Sequence, residues 1–203
     1  MTLVAEKIAV RELGTADYGT TLQAMKQFTS ERSEKTGDEI WLVEHPPVYT
    51  LGQGADEATV HNGIPVVRSD RGGEITYHGP GQVVLYALID LARRGIKVKR
   101  FIWLLEQAVI DLLEGRGERR PGAPGVYVGG AKLAALGVRV SRGRSYHGLA
   151  LNVDMDLSPF SAIDPCGYPG LQVTQMRDLG FKKNSSQMGR DLAKTLTANL
   201  DRA

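Results

Sequence analysis

Short runs of β-forming residues, each cut off by proline or glycine, constrain this chain more than any other feature. They cover Glu39 to Glu44, Val48 to Leu51, Ile64 to Val67, Glu74 to Tyr77 and Val83 to Ile89. They resume as Val126 to Val128, Ala131 to Val140 with a break at Gly137, and Tyr146 to Val153. Runs of this length read as strands of one mixed or antiparallel sheet, and Gly129-Gly130 suits a tight hairpin turn between two of them. Helical spacing occurs in three places. Asp17 to Lys35 carries Leu22, Met25 and Phe28 in phase, with Asp17 as a cap. Arg100 to Glu114 carries a continuous stripe through Phe101, Leu104, Leu105, Ala108, Val109 and Leu112 that Gly115 stops. Asp191 to Leu200 places three leucines four apart. Strands that do not alternate strictly with helices predict the α+β class, a mixed β-sheet with flanking helices, in one domain over 1–203. A chain of 203 residues can bury about 70% of its unfolded surface without disulfide staples.

Several function classes are disfavoured early. A net charge of +2 and an aromatic content of 6% are too mild for a nucleic-acid binder. Basic residues do cluster, at Arg93, Arg94, Lys97, Lys99 and Arg100 and at Arg139, Arg142 and Arg144; these are either solvated faces or a field that steers an acidic protein. No run is long enough for a membrane-crossing helix, no basic-then-apolar leader opens the chain, and the single cysteine suits a reducing compartment. The expectation is a cytoplasmic protein. His45, His61, His78 and His147 fall at no ligand spacing, so no metal is expected. His45, ahead of Pro46-Pro47, reads as ordering a turn, whereas His78 and His147 stand beside glycine at strand ends and read equally as lining a site or as hydrogen-bonded structural histidines.

Two segments carry chemistry. Cys166 lies in Asp164-Pro165-Cys166-Gly167-Tyr168-Pro169-Gly170, a bend that excludes helix and central strand and presents the thiol. The other is Arg71-Gly72-Gly73-Glu74-Ile75-Thr76-Tyr77-His78-Gly79-Pro80-Gly81-Gln82, in which glycines let backbone N–H groups approach a ligand. It is neither a dinucleotide fingerprint nor a Walker loop, and by turn chemistry alone it reads equally well as two hairpin turns around an edge strand.

Together with His45-Pro46-Pro47-Val48-Tyr49-Thr50-Leu51-Gly52, Lys132-Leu133-Ala134-Ala135-Leu136-Gly137-Val138-Arg139 and His147-Gly148-Leu149-Ala150-Leu151-Asn152, these segments resemble the octanoyltransferase family of lipoate biosynthesis. The resemblance runs from about Glu44 to Gly170. It implies the fold of the biotin and lipoate protein ligase catalytic domains, with Cys166 as acyl-accepting nucleophile and Lys132 as its activating group. It also implies an acyl pocket walled by Arg71, Gly72, Gly73, Glu74, Ile75, Thr76, Tyr77 and His78, by Ala135, Leu136 and Gly137, and by Gly148, Leu149 and Ala150. The implied reaction moves an octanoyl group from octanoyl-acyl carrier protein to a specific lysine of lipoyl domains of 2-oxoacid dehydrogenases and of the glycine cleavage H protein. The implied enzyme is a monomer that needs no cofactor and contacts neither nucleic acid nor membrane. The residue types fit this chemistry, since a free thiol titrates near 8.5 and needs help to ionise. Lys132 would help as an ammonium beside the thiolate or, if neutral, as the base. Three competing readings stay open: an ATP-dependent ligase on the same fold, an amidotransferase moving octanoyl between protein lysines, and a noncatalytic carrier binder.

Overall fold

A computed structural model describes residues 7–56, 60, 62–163 and 170–203. His61 and Cys166 lie outside the described residues. Strand β1 (Ala9–Thr15) leads into helix α1 (Tyr18–Glu31), whose first turn is capped by the Asp17 carboxylate accepting from the Thr20 N–H. Strands β2 (Glu39–Glu44), β3 (Val48–Leu51), β4 (Val66–Arg68), β5 (Ile75–His78) and β6 (Gln82–Leu88) follow. A short helix α2 (Leu91–Arg94) and the long α3 (Val98–Leu112) precede β7 (Gly125–Val128), β8 (Ala131–Ser141) and β9 (Arg144–Asn152), and α4 (Ser185–Asp201) closes the chain.

The strands form two sheets, not one. Six are ordered β1-β2-β6-β9-β8-β7, and three are ordered β4-β3-β5. Two pairings are parallel, β1 with β2 and β3 with β4; the others are antiparallel, which makes both sheets mixed. The large sheet is covered on both faces, so its central strands are apolar throughout and the period-2 alternation decides which face each residue serves. Ile40, Leu42, Val83, Leu85, Leu149 and Leu151 pack beneath α3 and α4, while Trp41, Val43, Val84, Tyr86 and Ala150 face α1. The three-stranded sheet has its own apolar cluster around Tyr49, Tyr77, Met155 and Phe160.

Strands β2 and β3 and the β7–β8 hairpin at Gly129-Gly130 fall where the sequence places them. Three features differ. Strand β1, exposed along its whole length, carries no apolar alternation to announce it. Strand β8 runs unbroken through Gly137, and α4 begins well before Asp191 because Asn184 and Gln187 form a capping box.

Candidate active site

A cleft of about 480 Å³, open mouth included, lies between the two sheets. One wall comes from the α1-facing side of the large sheet, through Val84 and Tyr86 of β6, Ala135 to Gly137 of β8, and His147 to Ala150 of β9; the other comes from Thr76 and His78 of β5. Tyr18 and Arg71 close it. Small residues set its width. At Gly137 a methyl group would stand 2.7 Å from the Gly72 carbonyl oxygen, so only glycine lets residues 71–74 lie along β8, where the Gly72 N–H donates to the Val138 carbonyl at 3.0 Å. That strip separates the cleft from a wider cavity of about 1190 Å³, lined also by Ile102, Ala123 and Pro124; Gly73, Glu74, Leu136 and Gly137 face both.

The floor of the cleft is polar and almost fully hydrogen-bonded. Gln82 donates to the Tyr77 carbonyl and to Asn152, so its amide oxygen accepts from His78 Nδ1 at 2.8 Å. His78 Nε2 then accepts from the Thr50 hydroxyl at 3.3 Å. His45 Nδ1 donates to the Ala16 carbonyl at 2.6 Å, which leaves Nε2 to accept from the Tyr86 hydroxyl at 2.7 Å. Tyr18 donates to Ser69 at 2.7 Å. Arg71 grips Thr50, through the carbonyl at 2.6 Å and the hydroxyl at 2.9 Å.

Beside the cleft, the half-buried Asp70 accepts from His147 Nε2 at 2.9 Å, the Tyr146 hydroxyl at 2.6 Å and Lys26 at 3.2 Å. To present both rings to one carboxylate, His147 adopts φ 59°, a left-handed conformation with a steric cost. The two rings stack with centroids 5.0 Å apart. His147 Nδ1 is buried with no hydrogen-bond partner among the described residues.

Burial governs the protonation of this floor. It lowers the pKa of all three histidines, that of His78 to about 3, with His45 nearby adding to the effect. Burial alone would raise the Asp70 carboxyl, but the hydrogen bonds from His147 and Tyr146 outweigh it and hold the group well below the usual carboxylate range. Tyr146 is pushed up to about 12 by burial and by Asp70. At neutral pH the cleft therefore presents neutral imidazoles and phenols between apolar walls, and it supplies no cationic histidine.

Lys132 is only 3% exposed, an uncommon state for lysine. Its backbone N–H donates to the Gln172 carbonyl at 2.8 Å and its carbonyl accepts from Thr174 at 2.9 Å. The chain just downstream of Cys166 is thus stitched to this lysine. Its Nζ stands 5.1 Å from the centre of the Tyr127 ring. Lys132 lies on β8 ahead of the cleft-lining Ala135, and its side chain packs beside Gly125, next to Pro124 at the rim of the wider cavity.

Of the wall residues expected from the sequence, all but two line the cleft. Gly72 faces the wider cavity. Tyr77 turns to the opposite face of β5 against Tyr49 and Phe160, as period-2 alternation requires beside Thr76 and His78. Sequence reasoning missed Tyr18, Asp70 and Tyr86. His45 sits in the connection between β2 and β3 and is also a fully buried link between Ala16 and Tyr86. Only tertiary folding brings these distant residues to one floor, although His78 and His147 beside motif glycines were a usable signal. Among the described residues no group of histidine, cysteine and acidic side chains could hold a metal ion.

The comparisons agree with one another. The lipoyl protein ligase A/B catalytic domain family matches residues 17–196. The chain is 59% identical over 194 residues to the octanoyltransferase of Aromatoleum aromaticum, covering 93% of this chain and 84% of that one. It is 57% identical over 197 residues to the octanoyltransferase of Dechloromonas aromatica, covering 95% and 96%. Among solved structures, the bipartite lipoate protein ligase of Thermoplasma acidophilum superposes with a TM-score of 0.76 at 16% identity, covering 96% of this chain and 84% of that one. The biotin protein ligase of Aquifex aeolicus gives 0.58 at 12% identity, covering 97% and 71%. Those two likenesses define the fold.

Proposed function

The chain belongs to the lipoyl protein ligase A/B catalytic domain family and, within it, to the octanoyltransferases, and from that premise we propose a two-step acyl transfer through Cys166 and Lys132. Residues 1–203 act as one cytoplasmic catalytic domain, and among the described residues no helix is long and apolar enough to cross a membrane. The donor is octanoyl-acyl carrier protein. The acceptor is a specific lysine on a lipoyl domain, of a 2-oxoacid dehydrogenase or of the glycine cleavage H protein.

In the first step the Cys166 sulfur attacks the donor carbonyl carbon. The new C–S bond forms, the carrier C–S bond breaks, and the proton lost by Cys166 leaves on the carrier thiol. In the second step the neutral acceptor amine attacks the acyl-cysteine carbonyl, an amide C–N bond forms, and the amine proton returns to the Cys166 sulfur as it departs. One thioester replaces another and then yields an amide, so no nucleotide is required. Lys132 carries the proton in both steps or stabilises the thiolate as an ammonium. The octyl chain lies in the cleft, where each buried methylene adds about 0.8 kcal/mol.

The observation that carries this reading is the placement of Lys132. A nearly fully buried lysine shares a strand with the cleft wall and is hydrogen-bonded through its backbone to the residues that follow the only cysteine. Burial of an amine is tolerated where its chemistry is used. The test is the intact mass of the protein after mixing with octanoyl-acyl carrier protein, without ATP or acceptor. Wild type is expected to gain one octanoyl group, Cys166→Ser none, and Lys132→Met to acylate at least a hundredfold more slowly. A wild type that stays unmodified by intact donor, yet octanoylates a lipoyl domain from octanoate and ATP, would make the protein a ligase.

A further inference from the structure

The basic residues of the sequence divide into two sets. Arg93 and Arg94 are taken up by Asp38 at 2.8 and 2.6 Å, and Arg144 reaches Asp90 at 3.4 Å. Lys97, Lys99 and Arg100 stand exposed at the start of α3, with no ion pair to a described residue. The same helix turns Val98 and Trp103 outward, 42% and 37% exposed. Trp103 is clamped between two guanidinium groups, Arg100 at 4.3 Å and Arg119 at 4.5 Å from its ring centre. Arg119 is held in turn by Glu106 at 3.1 Å and Gln107 at 2.7 Å. Arg119 and the indole it lies against are therefore held before anything binds, which lowers the entropy cost of using them.

The patch adjoins the reactive end of the site. Arg120, also exposed, lies 4.3 Å from the centre of the Tyr127 ring, the ring that Lys132 Nζ approaches at 5.1 Å. Ile102, the neighbour of Trp103, lines the wider cavity beside Pro124 and Gly73. A ligand seated on the patch thus has the wider cavity next to it, and that cavity shares Gly73 and Leu136 with the acyl cleft as a common wall.

We propose that Lys99, Arg100, Trp103, Arg119 and Arg120 form the seat of the donor, an acidic carrier domain whose acyl arm enters the wider cavity. The inference rests on the acyl-transfer reading above and adds to it the surface that reads the carrier. The charge favours this occupant: Lys99 and Arg100 precede the exposed indole on α3 and Arg119 and Arg120 follow from the loop after it, with Glu106 pairing Arg119 and with Asp111, Glu114 and Glu118 as the exposed acids of that stretch. Rim cations of this kind speed encounter with an acidic partner, and tryptophan and arginine are the residue types that anchor interfaces.

The test compares acylation of Cys166 by octanoyl-acyl carrier protein with acylation by the uncharged thioester octanoyl-N-acetylcysteamine, in wild type, a Lys99→Glu/Arg100→Glu variant and Trp103→Ala. Both variants should need at least tenfold more carrier for half-saturation, and the Lys99→Glu/Arg100→Glu variant, which alone changes the charge, should also lose most of the salt dependence. Their limiting rate and their rate with the uncharged thioester should stay within twofold of wild type, which also reports that they are folded. Carrier saturation within twofold of wild type overturns the proposal. So does a rise in half-saturating lipoyl domain with no rise for the carrier. Should wild type acylate with neither donor, the acyl-transfer reading fails, and carrier titration onto the Cys166→Ser protein decides the docking surface separately. Tenfold weaker binding with Lys99→Glu/Arg100→Glu added supports the seat, and unchanged binding overturns it.

Discussion

Gly148 has no room for a side chain. A methyl group there would stand 2.1 Å from the Leu85 carbonyl oxygen of β6, across the register pair that joins Tyr86 to Gly148. Both atoms belong to central strands, so neither can retreat without opening the sheet. Gly148→Ala is expected to lose about 2–3 kcal/mol of stability, as overpacking of a filled site does, measured as a lower urea midpoint at unchanged slope. The residue was legible in the sequence as part of a glycine-bearing motif, but its reason was not. A motif displays glycine without saying whether a ligand or a neighbouring strand occupies the space that a Cβ would take. At Gly148 the neighbour is β6; at Gly137 it is the strip of residues 71–74.

At the scale of elements, Asp38 ties together pieces that its sequence position does not announce. It sits in the turn between α1 and β2, 2% exposed. It accepts from Arg32 at the end of α1, from the Asp90 N–H ahead of α2, and from Arg93 and Arg94 within α2. Burial would raise its carboxyl, yet the bonds from Arg94, Asp90 and Arg32 hold it below the usual range. Arg32 has a side chain with no exposure, so Asp38→Ala leaves a buried cation without its counter-charge. The expected loss is about 3–5 kcal/mol, and Arg32→Met should recover part of it in the double variant, as chemical denaturation of the four proteins would show. Element existence was largely readable, because helix stripes and strand alternation are local. The edge strand β1 escaped because its pairing with β2 rests on backbone hydrogen bonds, for which no side-chain pattern is needed.

For the whole molecule the decisive feature is a buried polar floor between two sheets, in which neutral histidines and tyrosines sit beside the Arg71 guanidinium and the Asp70 carboxylate. His45, His78 and His147 all titrate below the ordinary histidine value in the folded state, so below about pH 6.5 the unfolded chain binds protons that the native protein refuses. Their contribution is complete above that pH and is lost as pH falls toward about 3, the value for His78. Each histidine adds up to about 1.4 kcal/mol per pH unit to the slope. Asp70, also lowered, adds its own loss only below the ordinary carboxylate range near 3.9. Stability by urea denaturation should therefore fall between pH 7 and 5, before the carboxylates titrate. A His78→Gln variant should show a shallower fall, and equal slopes in the two proteins would contradict the assignment. The sequence by itself determined the mixed α+β class and most strands and helices, since these follow from periodicity, turn chemistry and local composition, and the motif residues that wall the cleft were legible only through the family resemblance. Tertiary structure alone decided that the strands divide into two sheets, that Tyr77 faces away from the cleft, and that Tyr18, His45, Asp70 and Tyr86 meet beneath it. Contacts between distant strands depend on register and on which face each residue serves, and a one-residue shift reverses that face.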